Sequence, residues 1–265
     1  MKMVAAARLR RFQQALAAGR SYWEALLDLA QRLVQALPDV NHPYLSSASP
    51  ERPALLVVAG DKGLCASYNS LVFRRAEAAL EETKAPVLFV VGERARRWAQ
   101  RRQLTPDMAF AAFGGRQAQQ VHIDVAQAVL QGFDRGDFDG LYVVHTPFRS
   151  MLYNVPRLTQ VLPMGRPQGP PAPGKPIFLP SPERLVSLLL PMAVRARLAG
   201  MIVEAAAAEQ AARMTAMSAA ADNAEDLAEY LTRLRNRLRQ QEITTEILEV
   251  VSGAEALRQG AAGGD

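Results

Sequence analysis

The chain has 265 residues, a formal charge of +5 and one cysteine, and 49% of it is hydrophobic. The length fits one or two domains, and the lone Cys65 excludes an internal disulfide or a Cys-rich zinc site. No apolar run approaches the ~18 residues that a membrane span needs, and the Arg-rich start carries no secretory signal, so a reducing, intracellular setting is expected.

Residues 1–37 are predicted to form one helix. Ala, Leu, Arg and Gln dominate it, and Gly19 is its only weak helix former. Pro38 and Asn41-His42-Pro43 end the pattern, and Pro50 and Pro53 bracket a linker. From Ala54 the texture changes. The continuous apolar run 54–59 reads as a buried strand, as do 87–91 and 141–144, and 157–162 reads as an edge strand. Helical patterns fall at 68–82, 93–102 and 117–133. This alternation predicts a mostly parallel sheet with helices on its faces over residues 54–180. The Pro- and Gly-rich stretch 165–175 reads as a loop or a disordered excursion.

Gly60-Asp61-Lys62-Gly63 stands between a strand and a helix, where nucleotide-binding folds place a phosphate loop. Neither GxGxxG nor GxxxxGK[ST] is present, so a plain tight turn is the reading. Arginine makes up most of the basic excess, since only Lys2, Lys62, Lys84 and Lys175 are lysines. The blocks Arg94-Ala95-Arg96-Arg97 and Gln100-Arg101-Arg102 have no interleaved aromatics and read as the solvated face of one helix, not a nucleic-acid site. His42, His122 and His145 are scattered without metal-ligand spacing, and no Cys-His grammar surrounds Cys65. No cofactor site is expected.

Ser181-Pro182-Glu183 is a helix start, with Ser as N-cap and Pro at the first helical position. From there only Gly200 interrupts a helix-compatible run up to Gly253, a reach of ~105 Å at 1.5 Å per residue. Pro191 is expected to kink it. Beyond Pro191 the spacing alternates four and three through Met192, Ala196, Ala199, Val203, Ala206, Gln210, Arg213, Met217, Ala220, Ala224, Leu227, Leu231, Leu234 and Leu238, the period of a left-handed coiled coil. The helix over 1–37 is the natural antiparallel mate, though it covers only about half of this seam. The predicted architecture is therefore an antiparallel coiled coil of helices 1–37 and 183–257 with a Rossmann-like α/β domain inserted between them. Asp222, Glu225, Asp226 and Glu229 form an acidic strip that reads as a solvated face.

Four blocks, in order, resemble the gamma subunit of F-type ATP synthases. They are Met1-Lys2-Met3-Val4-Ala5-Ala6-Ala7-Arg8, the loop Gly63-Leu64-Cys65, the helix 205–226, and Ile243-Thr244-Thr245-Glu246 with Glu249 and Gly253-Ala254. The resemblance implies a non-catalytic central shaft of a proton-translocating rotary complex. Its partners would be the alpha and beta subunits of the catalytic ring, the epsilon subunit and the membrane c-ring, with no nucleic acid. It would lie peripherally on the cytoplasmic face of the bacterial inner membrane. It also implies that Arg213 and Gln240 form a hydrogen-bonded catch with acidic loops of the catalytic subunits, with Thr244 and Glu246 in the same zone. Lys2, Met3 and Arg8 would belong to the N-terminal shaft, and Val203, Met217, Leu227, Leu231, Leu234 and Leu238 to the seam. The family's first helix normally begins further upstream, so a late start is expected here, and Ser218 stands where the family often has Lys. A nucleotide-binding α/β protein and a coiled-coil adaptor are the competing readings, and a phosphate loop with convergent acids would favour the first.

Overall fold

The computed structural model describes residues 1–37, 40–46, 49–85, 87–110, 118–166, 178–179 and 181–262, with no side-chain account for 118, 119 and 255–262. Two compact units divide the chain, Met1–Met217 and Ser218–Asp265. The first holds every strand. In chain order its elements are α1 (Lys2–Ala36), a short 3-10 turn (Pro43–Leu45), β1 (Pro53–Val58), α2 (Tyr68–Thr83), β2 (Val87–Val91), α3 (Glu93–Arg101), β3 (Met108–Phe110), α4 (Ala118–Arg135), β4 (Gly140–His145), β5 (Arg157–Leu162) and the beginning of α5 (Pro182–Ala262).

The sheet order is β3-β2-β1-β4-β5. The first four strands are mutually parallel, and β5 closes one edge antiparallel to β4. The strand-and-helix alternation read from the sequence is present, and β3 is an addition to it. This strand is three residues long and largely exposed, so it offers no apolar run to detect. Most of the Pro- and Gly-rich stretch 165–175 lies outside the described residues.

β1 is buried along its whole length, as a central parallel strand must be. Its side chains alternate between two cores. Ala54, Leu56 and Val58 join Phe89, Val91, Leu141 and Val143 under α1, α4 and the first turns of α5. Leu55, Val57 and Ala59 join Leu88 and Val90 under α2 and α3, where Val72, Ala76 and Trp98 pack. A one-residue slip of β1 would exchange the two sets and empty both cores, so the register is strongly determined.

Ser181 caps α5 by accepting from Arg184 N at 3.4 Å, with Pro182 at the first helical position. The helix runs through Pro191 without a break, although the ring removes one ladder donor. A window of α5 has mean hydropathy 1.6 and is apolar enough to cross a membrane by length and composition. Arg195 and Arg197 interrupt the sequence there, so it holds no unbroken apolar run of that length. Half of that window is buried inside the fold. Val186, Leu190, Val194, Leu198 and Ile202 are core residues of this unit, so the apolar composition serves packing against the sheet layer.

α1 and this part of α5 run antiparallel. Leu9, near the start of α1, packs with Ala207 and Ala211. Trp23, midway, lies against Gly200, where an added Cβ would meet the indole at 3.3 Å. Ala30 and Val34, near the end, share a cleft with Leu190 and Arg197. The indole also covers Gly19 on its own helix, where a Cβ would sit 2.5 Å from the ring. Gly19, a weak helix former by propensity, is thus the space that Trp23 occupies.

Candidate functional site

Open α/β sheets bind ligands outside the carboxyl ends of the strands, where the strand order reverses. In this sheet that point lies between β1 and β4. It is filled by α5. Ala205, Ala206, Ala207 and Ala208 are all buried, and their neighbours fall in three different clusters: Ala205 and Ala206 with the α1–α4 side, Ala208 with the α2–α3 side, Ala207 with Leu9. A helix enclosed on all sides requires small apolar residues all round, and four successive alanines meet that requirement. The Tyr68 hydroxyl, fully buried, donates to the Ala205 carbonyl at 3.0 Å and ties α2 to this stretch. Burial pushes that phenol well above its ordinary value.

The turn after β1 meets α5 through charge. Glu209 is 3% exposed, and its Oε1 accepts from Arg213 Nη2 at 2.5 Å. A Cβ at Gly60 would lie 2.6 Å from that same oxygen, so only glycine leaves room for the carboxylate. Arg213 Nη2 also donates to the Gly63 carbonyl at 3.3 Å and to the Lys62 carbonyl at 3.4 Å. Burial raises the Glu209 carboxyl above its usual value, opposed by Arg213. Asn69 braces the turn, accepting from Gly60 N at 2.9 Å and contacting the Cys65 sulfur at 3.1 Å. Leu64 and Ala66 hold positive φ values of 62° and 48°, which L side chains adopt at a cost.

This turn therefore presents carbonyl oxygens to a guanidinium. A phosphate loop presents amide N–H groups to an anion, the opposite polarity. Cys65 is buried, and its thiol is pushed up first by burial and then by the Glu209 carboxylate, away from nucleophilic character. No cluster of three His, Cys, Asp or Glu side chains suited to a metal occurs among the described residues. The arginine block on α3 is largely matched by acids. Glu93 bonds Arg96 and Arg97, which hold its carboxyl down to about 2, and Arg102 bonds Glu77.

At the carboxyl end of β4, His145 is 5% exposed with its Nδ1 4.0 Å from Glu204. Burial, then Arg197 and Arg157, lowers its pKa to about 4. Gln210 on the predicted seam is buried, and its Oε1 accepts no bond from a described residue.

The other sequence-predicted residues divide between the units. In the first, Lys2, Met3 and Arg8 are exposed and flank the buried Ala5 and Leu9. Arg8 lies close enough to Glu209 to favour its charged form. Val203 and Met217 are half-buried. Arg213 is half-buried too, and its described bonds are all within the chain.

The described residues of the second unit are helix alone. Leu227, Leu231, Leu234 and Leu238 are exposed, with Tyr230, Ile243, Ile247, Leu248, Val250 and Val251. Gln240, Thr244 and Glu246 are exposed as well, and the Thr244 hydroxyl donates to the Gln240 carbonyl one turn earlier at 2.8 Å. So many large apolar side chains in contact with water mark a surface built to be covered.

Sequence reasoning missed the Gly60–Glu209 fit and the plugging of the sheet's ligand crevice. The run of alanines at 205–208 was the available signal. Its significance depends on the sheet edge it meets.

A family model described as ATP synthase matches residues 1–257. The chain is 35% identical over 258 residues to an ATP synthase gamma chain of Desulfitobacterium hafniense, covering 97% of this chain and 92% of that one. It is 36% identical over 292 residues to an ATP synthase gamma chain of a Synechococcus species, with the same coverage. Among solved structures, it resembles a chain of the Tetrahymena thermophila mitochondrial ATP synthase central stalk and c-ring at a TM-score of 0.62 and 21% identity, covering 83% of this chain and 97% of that one. A chain of the Euglena gracilis mitochondrial ATP synthase matches at 0.60 and 15% identity, covering 98% and 95%.

Proposed function

The chain belongs to the family of ATP synthase gamma chains, the central shaft of a rotary ATP synthase, and we propose that in this role it carries no chemistry of its own. One observation supports this above the others. The crevice that would hold a nucleotide in a sheet of this topology contains the Ala205–Ala208 stretch and the Glu209–Arg213 pair.

In this reading the alpha and beta subunits of the catalytic ring cover the exposed apolar side chains between Leu227 and Val251. Arg213 and Gln240 meet acidic loops there, with Thr244 and Glu246 in the same zone. Lys2, Met3 and Arg8 belong to the same shaft. The α/β portion is the base that holds the epsilon subunit and stands on the membrane c-ring, at the cytoplasmic face of the bacterial inner membrane. Work passes through differential contact. A shaft without threefold symmetry touches three equivalent subunits differently, and each subunit's nucleotide state shifts by the difference in contact free energy.

Reconstitution of the chain with alpha and beta subunits of a bacterial ATP synthase tests this. ATP should drive rotation of the chain within the ring, and the free chain should bind no ATP by calorimetry. Stoichiometric ATP binding abolished by Lys62→Ala would instead establish a nucleotide-binding α/β protein.

A further inference from the structure

The guanidinium assigned above to acidic loops of the catalytic subunits already has an acid inside its own chain. We propose that Glu209, together with the Lys62 and Gly63 carbonyls, is an in-chain seat that competes with the partner for Arg213, so that Glu209 is a positioning residue for the rotary step. The proposal rests on the reading of Arg213 as a partner contact.

The seat is built. Gly60 leaves a hollow that any side chain would close, and Glu209 fills it with its side chain 4% exposed. Arg213 is held unevenly. One bond is short, Nη2 to Glu209 Oε1 at 2.5 Å. The bonds to Gly63 and Lys62 are long, at 3.3 to 3.4 Å. A guanidinium has five donors in a rigid fork, and the Arg213 side chain keeps 12% of its surface exposed, where a second carboxylate can engage it.

The charge around Glu209 sets what departure costs. Arg8 of α1 favours its ionised form, and Asp61 in the turn opposes it. Cys65 and the buried Tyr68 also face it, both as neutral groups. Once Arg213 leaves, Glu209 is a buried carboxylate without its main cation, an expensive state. A partner must therefore offer more than Glu209 does, and the guanidinium returns when that partner's loop withdraws.

The test uses the full chain assembled with alpha and beta subunits, with the pause between rotary steps timed on single molecules at saturating ATP. Glu209→Gln keeps the shape and removes the competing charge. It should lengthen the pause on the order of tenfold, because a charge-assisted hydrogen bond is replaced by a weaker neutral one. Gly60→Ala, which pushes a Cβ toward Glu209 Oε1 from the other side, should act in the same direction and serves if Glu209→Gln assembles poorly. Glu209→Asp, which restores the carboxylate, should recover part of the wild-type pause. In an Arg213→Ala background, Glu209→Gln should change nothing. If Arg213→Ala alters the pause while both seat variants leave it at wild type, the seat is refuted and the partner contact stands. The seat is equally refuted if the Glu209→Gln effect persists without Arg213. If Arg213→Ala itself leaves the pause unchanged, the partner reading fails first, and the competition with it.

Discussion

The Tyr68 hydroxyl and the Ala205 carbonyl, 137 positions apart, are joined by a buried hydrogen bond of 3.0 Å. It links the helix after β1 to the middle of the first unit's share of α5. With the Glu209–Arg213 pair one turn further on, it fastens the sheet's carboxyl edge to the helix that crosses it.

Tyr68→Phe removes that bond without changing shape. The Ala205 carbonyl keeps its own helical partner, so the loss should be modest, about 1 kcal/mol. Chemical denaturation of the isolated chain measures it, and a variant as stable as wild type would show that the bond adds nothing.

Ala205→Leu is expected to cost more. The site is fully buried between the sheet edge and α2, and overpacking of a closed site costs about 1–3 kcal/mol or more. A lowered melting temperature and poor assembly are the expected results. Unchanged melting would mean that α5 can lift from the sheet.

Gly92 has φ +96°, and a Cβ there would meet the Ala59 carbonyl oxygen at 2.3 Å. Gly92→Ala therefore combines backbone strain with a clash against another backbone, and about 3 kcal/mol of destabilisation is expected from the strain alone. Urea titration of the variant against wild type gives the value.

Acid should weaken the first unit through His145. Its folded pKa of about 4 lies below the ordinary 6.5, so the neutral ring is the form the fold prefers. Between those values the unfolded chain binds the extra proton, and stability falls as pH drops through the window. The loss amounts to at most about 3 kcal/mol. Glu204 and Glu209 are shifted upward and act in the opposite sense. The clean measurement is therefore the difference between wild type and His145→Gln, which should shrink from pH 7 to pH 4.

Leu231→Gln with Leu238→Gln should leave the free chain's stability within about 0.5 kcal/mol, because both side chains are already exposed. Assembly with alpha and beta subunits should drop. Normal assembly would show that this face of the second unit lies uncovered in the complex.

Local pattern alone determined the element types, the parallel sheet and the long terminal helix. Continuous apolar runs such as 87–91 and a Ser-Pro-Glu helix start are signals carried by neighbouring residues. The four-three spacing from Met192 to Leu238 likewise announced a helix that exceeds what its own chain can cover. Tertiary structure alone decided where that spacing stops describing the packing. Over 205–208 the helix is enclosed on every side, because it crosses the mouth of the sheet, and the one heptad position there, Ala206, is no more buried than its neighbours. The same crossing turned Gly60 into a hollow for Glu209, brought the Lys62 and Gly63 carbonyls to Arg213 and drove the His145 pKa down. Each of these depends on groups brought together from positions far apart in the chain, and a charge or a cavity shared between such groups has no period for a sequence to display.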